Sequence, residues 1–264
     1  MTKQKLDILD RIRIAAELYK RNFKVLITLS SLSIIIAKVS SLLLRFNSST
    51  NIMIFGKAQF LIQVLVLIIA YVGIFYSTRL SVASELASRE YYIGKTSSIS
   101  ESYSNAKGYA WKVILTVFIL MLIIAIPALM FRLGITSDYP LVVRALLIII
   151  GGMTSVILGV RFGLAPVIKV LEPRVVNCFS YSNKLVKGSF LEVMILLGIT
   201  SLMFPLNYLI NSLMSFSSGV LTLNIIVQII QTTLTILFDP FKVVITVAIF
   251  MKLSNINRVR RDII

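Results

Sequence analysis

The sequence contains no histidine and a single cysteine, and only 14% of its residues are charged. Lack of histidine removes the commonest general base and a common metal ligand. Cys178 has no second cysteine to pair with, so an internal disulfide is excluded; it reads as a small apolar residue on a surface helix or, alternatively, as a reactive or acylated thiol. Cysteines and carboxylates form no cluster with metal-ligand spacing, and no glycine-rich phosphate loop or nucleophile elbow is present. The carboxylates near apolar runs, Glu85, Glu172, Glu192 and Asp239, stand alone. The expectation is a protein without enzymatic activity, metal or cofactor.

What fills the chain is hydrocarbon. Of its 264 residues, 57% are hydrophobic, and soluble domains carry nearly twice this share of charge, about 25%. Apolar runs of near-spanning length predict an all-α integral membrane protein. They do not alternate with polar residues as the strands of a membrane barrel do. Six spans are expected, at 25–44, 60–78, 113–131, 145–168, 193–210 and 220–253. The first run carries Lys38 and has no small-residue cleavage site, so it reads as a retained span and not as a signal peptide.

Basic residues set the orientation. Residues 1–24 hold seven Lys and Arg, and the second-to-third connection, the fourth-to-fifth connection and the C-terminal part hold five each, 22 of the 27 in all. The opposite side has Arg45, Lys57, Arg132 and Arg144. The positive-inside rule therefore places both termini in the cytoplasm. The net charge of +16 flanks spans instead of forming a domain. It implies an anionic inner leaflet as partner, at about 1 kcal/mol per juxtamembrane cation, and not nucleic acid.

Three cytoplasmic segments enter a span alike: "FKVL" at Phe23, "WKVI" at Trp111 and "LEVM" at Leu191. Lys107-Gly108 and Lys187-Gly188 precede the last two at the same spacing. Upstream of each lies an amphipathic stripe: Leu9, Ile12, Ala16, Tyr19 and Phe23; Ile99, Tyr103, Ala106 and Ala110; and Val175, Phe179, Ser182, Val186 and Phe190. These spacings predict interfacial helices over 5–23, 97–110 and 173–188. The whole reads as three parallel repeats of interfacial helix plus transmembrane hairpin, forming one polytopic domain over 1–264.

The stretch "VRFGLAPVIKVLEPRVVNCFSYSNKLVKGSFLEVMIL", Val160 to Leu196, resembles a pattern shared by the YciC-like bacterial inner-membrane family and the membrane domain fused to some glycerophosphoryl diester phosphodiesterases. In both, a span ends in an apolar-Ala-Pro-apolar run, here around Pro166. An acidic turn follows, here Glu172, then a surface helix with a serine, Ser180 or Ser182, and a late basic-Gly step, Lys187-Gly188. The resemblance implies fold and location. It implies no activity, because this chain has no catalytic barrel. From the residues themselves, Pro166 should bend or end the fourth span, and Pro173 should open the surface helix at its first turn. Glu172 is read as a plain turn residue, a cap for that helix, or a partner of Arg174 or Arg161.

Four ionisable residues fall at membrane depth: Lys38, Arg161, Asp239 and Lys242. Lys38 and Arg161 are within snorkelling reach of an interface. Asp239 and Lys242 bracket Pro240 in the last run and share a helix face. A proline kink at 238–240, with its freed polar groups satisfied by that pair, is one reading; a hinge or polar step for headgroups or ions is the other. Two functions follow: a non-enzymatic membrane protein that organises or tunes the envelope by binding lipid or a membrane-protein partner, or a small-molecule or lipid transporter built as a flippase-like bundle.

Overall fold

The structure is a computed structural model describing residues 8–49, 56–201 and 221–261. Among these residues every regular element is an α-helix. In chain order they are α1 (Ile8–Arg21), α2 (Phe23–Ser49), α3 (Gly56–Tyr92), α4 (Ile99–Asn105), α5 (Ala110–Thr136), α6 (Leu141–Phe162), α7 (Ala165–Leu171), α8 (Cys178–Val186), α9 (Phe190–Ser201) and α10 (Leu221–Arg261). Five helical stretches are long and apolar enough to cross a bilayer: Phe23–Leu44, Leu61–Tyr92, Ala110–Thr136, Leu141–Leu171 and Ile226–Asn255. The fold is a multi-pass α-helical membrane protein. The expected span at 193–210 begins as α9, and residues 202–210 lie outside the described residues.

Several boundaries differ from the sequence expectation, each for a physical reason. Helix α3 does not stop near Thr78. It continues through Arg79, Glu85 and Arg89 because Leu80, Ala83, Ala87 and Tyr91, spaced three or four apart, bury one face. Charged residues end an apolar run without ending a helix. The expected interfacial helix at 97–110 is only α4, started by Ser98, whose hydroxyl accepts from the Glu101 amide. Its continuation is a turn at Gly108, whose φ of +91° suits glycine. The matching Gly188 has no left-handed φ, so the two Lys-Gly steps differ in backbone conformation.

The expected fourth span, 145–168, falls within the candidate span Leu141–Leu171, which is interrupted near Pro166 by a turn whose Gly163 and Leu164 keep right-handed helical angles. Helix α6 ends at Phe162, Gly163 and Leu164 intervene, and α7 starts with Pro166 in its first turn. Proline lacks the amide that an uninterrupted helix would need there. The surface helix opens at Cys178, not at Pro173. Asn177 is its N-cap, accepting from the Ser180 amide at 3.0 Å, while Pro173 and Arg174 sit in a turn closed by the Val175 amide on the Glu172 carbonyl, 3.0 Å. An asparagine side chain satisfies a first-turn donor, which proline cannot do.

By packing, the chain divides into two compact units. The unit of Ala15–Trp111 and Ser201–Val244 is built on the α2–α3 hairpin. Its seam is lined by small and hydroxyl residues. Ser33 Oγ donates to the Ser77 carbonyl at 2.9 Å and Ser77 Oγ donates to the Ser33 carbonyl at 3.0 Å. Gly73 lies against Ser40 with no room for a methyl group. Such small-residue seams let helix backbones approach closely in a membrane. Helix α4 is clamped to α3 by Arg79, whose guanidinium donates to the Tyr103 carbonyl at 3.1 Å and stacks 3.9 Å over its ring.

The unit of Met1–Ile14, Lys112–Thr200 and Ile245–Ile264 has its own core. Five of the seven residues of α7 are buried. So are Cys178, Leu185 and Val186 of α8, Val193 and Leu196 of α9, and Ile245, Val247, Ala248, Ile249, Phe250 and Leu253 of α10. Helices α5 and α6 touch backbone to backbone at Gly151 and Gly134.

Candidate functional site, a cationic pocket beside helix α8

The break at Gly163–Leu164 and the turn at Glu172 return the chain so that α8 lies on the end of α6. Two contacts hold it there. The buried Ser182 Oγ donates to the Arg161 carbonyl at 2.7 Å, and the Phe162 and Phe179 rings meet edge to face at 5.9 Å. Beside them lies a pocket of about 340 Å³ lined by Arg161, Asn183, Val186, Lys187 and Phe190. Arg161 comes from the end of α6, Asn183 and Val186 from α8, Lys187 from its C-cap and Phe190 from the start of α9. No carboxylate lines it.

The chemistry of the lining is asymmetric. Arg161 supplies a planar fork of donors, Lys187 a compact ammonium and Asn183 an amide. Val186 and Phe190 supply an apolar wall. Among the described residues neither cation has an ion-pair partner. The turn is fixed locally: the Lys187 amide donates to the Asn183 carbonyl at 3.1 Å and the Ser189 amide to the Val186 carbonyl at 3.0 Å.

The other sequence candidates fall elsewhere. Gly188 is exposed beside the pocket, and Pro166 stands in the first turn of α7. Asn177 and not Glu172 caps α8; the Glu172 Oε1 accepts from Ser254 Oγ of α10 at 3.0 Å. Cys178, the first residue of α8, is buried.

In the other unit, the Lys38 Nζ donates to Thr232 Oγ1 of α10 at 2.5 Å. Asp239 is half-buried and within electrostatic reach of Lys242, one turn away. The proline step recruits a residue that the sequence reading placed only on a stripe. Tyr19 Oη donates to the Leu237 carbonyl at 2.8 Å, and its ring meets Phe241 at 6.0 Å. Burial raises the Tyr19 phenol above its ordinary pKa, so it stays a donor.

Nothing in the sequence marks Thr232 or Ser254 as site residues, and Asn183 stands there only as a polar residue off the α8 stripe. Each carries a short polar side chain whose role depends on a partner distant in sequence, so no local pattern marks it. No family model matches this chain, and neither does any curated protein or solved structure.

Proposed function

We propose that this is a non-enzymatic protein of a bacterial cytoplasmic membrane, with six spans and both termini inside, that organises or tunes the envelope by binding anionic lipid or a protein partner. The observation that carries the reading is the pocket of Arg161, Asn183 and Lys187, open beside apolar Val186 and Phe190. The helix starts add support. Phe23, Trp111 and Leu191 are all exposed, and Lys24 and Lys112 beside the first two are exposed as well. Exposed aromatic and basic residues at the heads of apolar helices suit a headgroup layer. The order of a short helix followed by long apolar ones at α1–α3 and at α4–α6 favours the repeat reading, and the resemblance to the YciC-like family agrees with the proposed fold and location. Copurification in mild detergent, with lipid and protein identification, tests it. Enrichment of anionic phospholipid or of one membrane protein is expected; a lipid profile equal to that of the bulk membrane with no retained protein refutes it.

A second reading, a small-molecule or lipid transporter, is favoured by the polar groups at membrane depth, Lys38 with Thr232 and Asp239 near Lys242. Solute flux or fluorescent-lipid translocation in reconstituted vesicles, above that of empty vesicles, would select it.

A further inference from the structure

We infer that the pocket at the α6–α8–α9 junction binds the phosphate group of an amphiphilic phosphate ester, with Arg161 and Lys187 as its charge partners. The inference rests on the lipid-binding reading above and gives it a location. Two cations from different helices line one cavity that has no carboxylate, and neither has an ion-pair partner among the described residues. Two like charges brought together repel each other, and a bound anion removes that cost. A guanidinium matches a phosphate with two parallel hydrogen bonds, an ammonium adds a point charge, and an amide N–H can serve a third oxygen.

The wall decides the ligand class. Phe190 lines the pocket and is half-buried, so the phosphate-bearing molecule meets hydrocarbon on one side. The volume of about 340 Å³ is at the lower end of small-ligand pockets, roughly 300–1,000 Å³, the size of a headgroup with its glycerol. The site is held in shape from behind, since Ser182 Oγ fixes the Arg161 backbone and Asn177 caps α8. Two sources supply this chemistry: a membrane phospholipid, or a soluble phosphate ester such as glycerol 3-phosphate.

The test uses the full chain in nanodiscs of phosphatidylcholine with and without phosphatidylglycerol, and separately in detergent with glycerol 3-phosphate. Bound lipids are counted by native mass spectrometry, and thermal stability is followed with each ligand. Arg161→Gln, Lys187→Gln and the control Lys184→Gln are compared; Lys184 is exposed on α8 outside the pocket. Each pocket variant should weaken phosphatidylglycerol retention about tenfold, the effect of one charge-assisted hydrogen bond, and the control should not.

Stabilisation by glycerol 3-phosphate that both pocket variants lose would uphold the site with a soluble source. Equal phosphatidylglycerol binding by wild type and both pocket variants would overturn the pocket while leaving general lipid binding intact. Absence of any preference by wild type for phosphatidylglycerol or glycerol 3-phosphate would overturn the pocket and the lipid reading together. Should Arg161→Gln fail to accumulate, Lys187→Gln, at an exposed turn position, decides the question.

Discussion

Two glycines of α6 give substitutions of opposite sign. A Cβ on Gly151 would stand 2.5 Å from the Phe131 amide nitrogen, 2.7 Å from the Pro127 carbonyl oxygen and 3.0 Å from the Phe131 Cα. All three are backbone atoms of α5, so no rotamer change makes room and the two helices must separate. A Cβ on Gly159, two turns further along the same helix, meets nothing within 4 Å. Gly159→Ala should therefore show only the helix-propensity gain, about 0.8–1 kcal/mol. Gly151→Ala has the same gain but pushes the hairpin apart. Overpacking costs typically ~1–3 kcal/mol, and loss of van der Waals contact along the seam adds to it. The net expectation is a loss of about 1–2 kcal/mol, a gap of roughly 2–3 kcal/mol between the two variants. The assay is the midpoint of thermal aggregation in one detergent, read by size-exclusion chromatography on wild type and both variants. At about 2–4 °C per kcal/mol, the midpoints should differ by at least 4 °C with wild type between them. Equal midpoints for Gly151→Ala and Gly159→Ala would show that α5 and α6 are not in backbone contact at Phe131.

Topology is checked with a cysteine at position 184 in a Cys178→Ala background, because Cys178 itself is buried while Lys184 is exposed; an impermeant thiol reagent should label inverted vesicles, and labelling of intact cells would refute the cytoplasmic assignment. Phe179→Asp places a carboxylate against Phe162 and should lower accumulation, and unchanged detergent stability would mean that α8 does not depend on that contact. Asp239→Ala should harm folded yield more than Asp239→Ala with Lys242→Ala, by about 1 kcal/mol of coupling; strictly additive losses would separate the two residues. Among the described residues Glu85 Oε2 is buried without a hydrogen-bond partner, so Glu85→Leu should raise the thermal midpoint, removing a desolvation cost of about 1–3 kcal/mol, and a lowered midpoint would show that the carboxyl serves an interaction worth more than its burial costs.

The helical membrane class was legible because hydropathy reports it directly, and the stripe of α8 was legible because Phe179, Ser182 and Val186 repeat at helical spacing and all turn inward to some degree. The α1 stripe has helical period, as the helix does. Yet the residues buried there are Arg11 and Ala15, while Leu9 is 78% exposed. Periodicity identifies an apolar face without saying whether protein or lipid covers it, since lipid tails are as apolar as leucine. Arg161 and Lys187 were each visible as isolated cations. Their convergence was not, because it depends on the Gly163–Leu164 break and the Glu172–Val175 turn, which set direction over a few residues. Helices α4 and α8 are shorter than their sequence stripes for a related reason. Capping by Ser98 and Asn177 decides where each begins, and a cap is recognised only once the first turn has formed.

The aspartate, proline and lysine of the last helix mark a change of surroundings along it. Helix α10 has 41 residues, about 60 Å at 1.5 Å per residue, twice what a bilayer core requires. Before Pro240 its large apolar residues point outward: Ile226, Ile229, Ile230, Leu237 and Phe238 are each at least 40% exposed. From Val244 to Ser254 the helix is largely buried, with Val244, Ile245, Val247, Ala248, Ile249, Phe250 and Leu253 all near zero exposure. A single apolar helix satisfies one regime or the other by its moment, not both. Pro240, itself buried, stands between the two. Its missing amide leaves the Ile236 carbonyl without its usual donor, yet the helix is not split there. The adjacent Leu237 carbonyl is taken by Tyr19 Oη. Asp239 and Lys242 sit on the same turn, where loosened backbone lets polar side chains be solvated or paired at lower cost than in an intact apolar helix. The three residues a span should avoid thus gather at the one place along α10 where the helix has already given up a hydrogen bond.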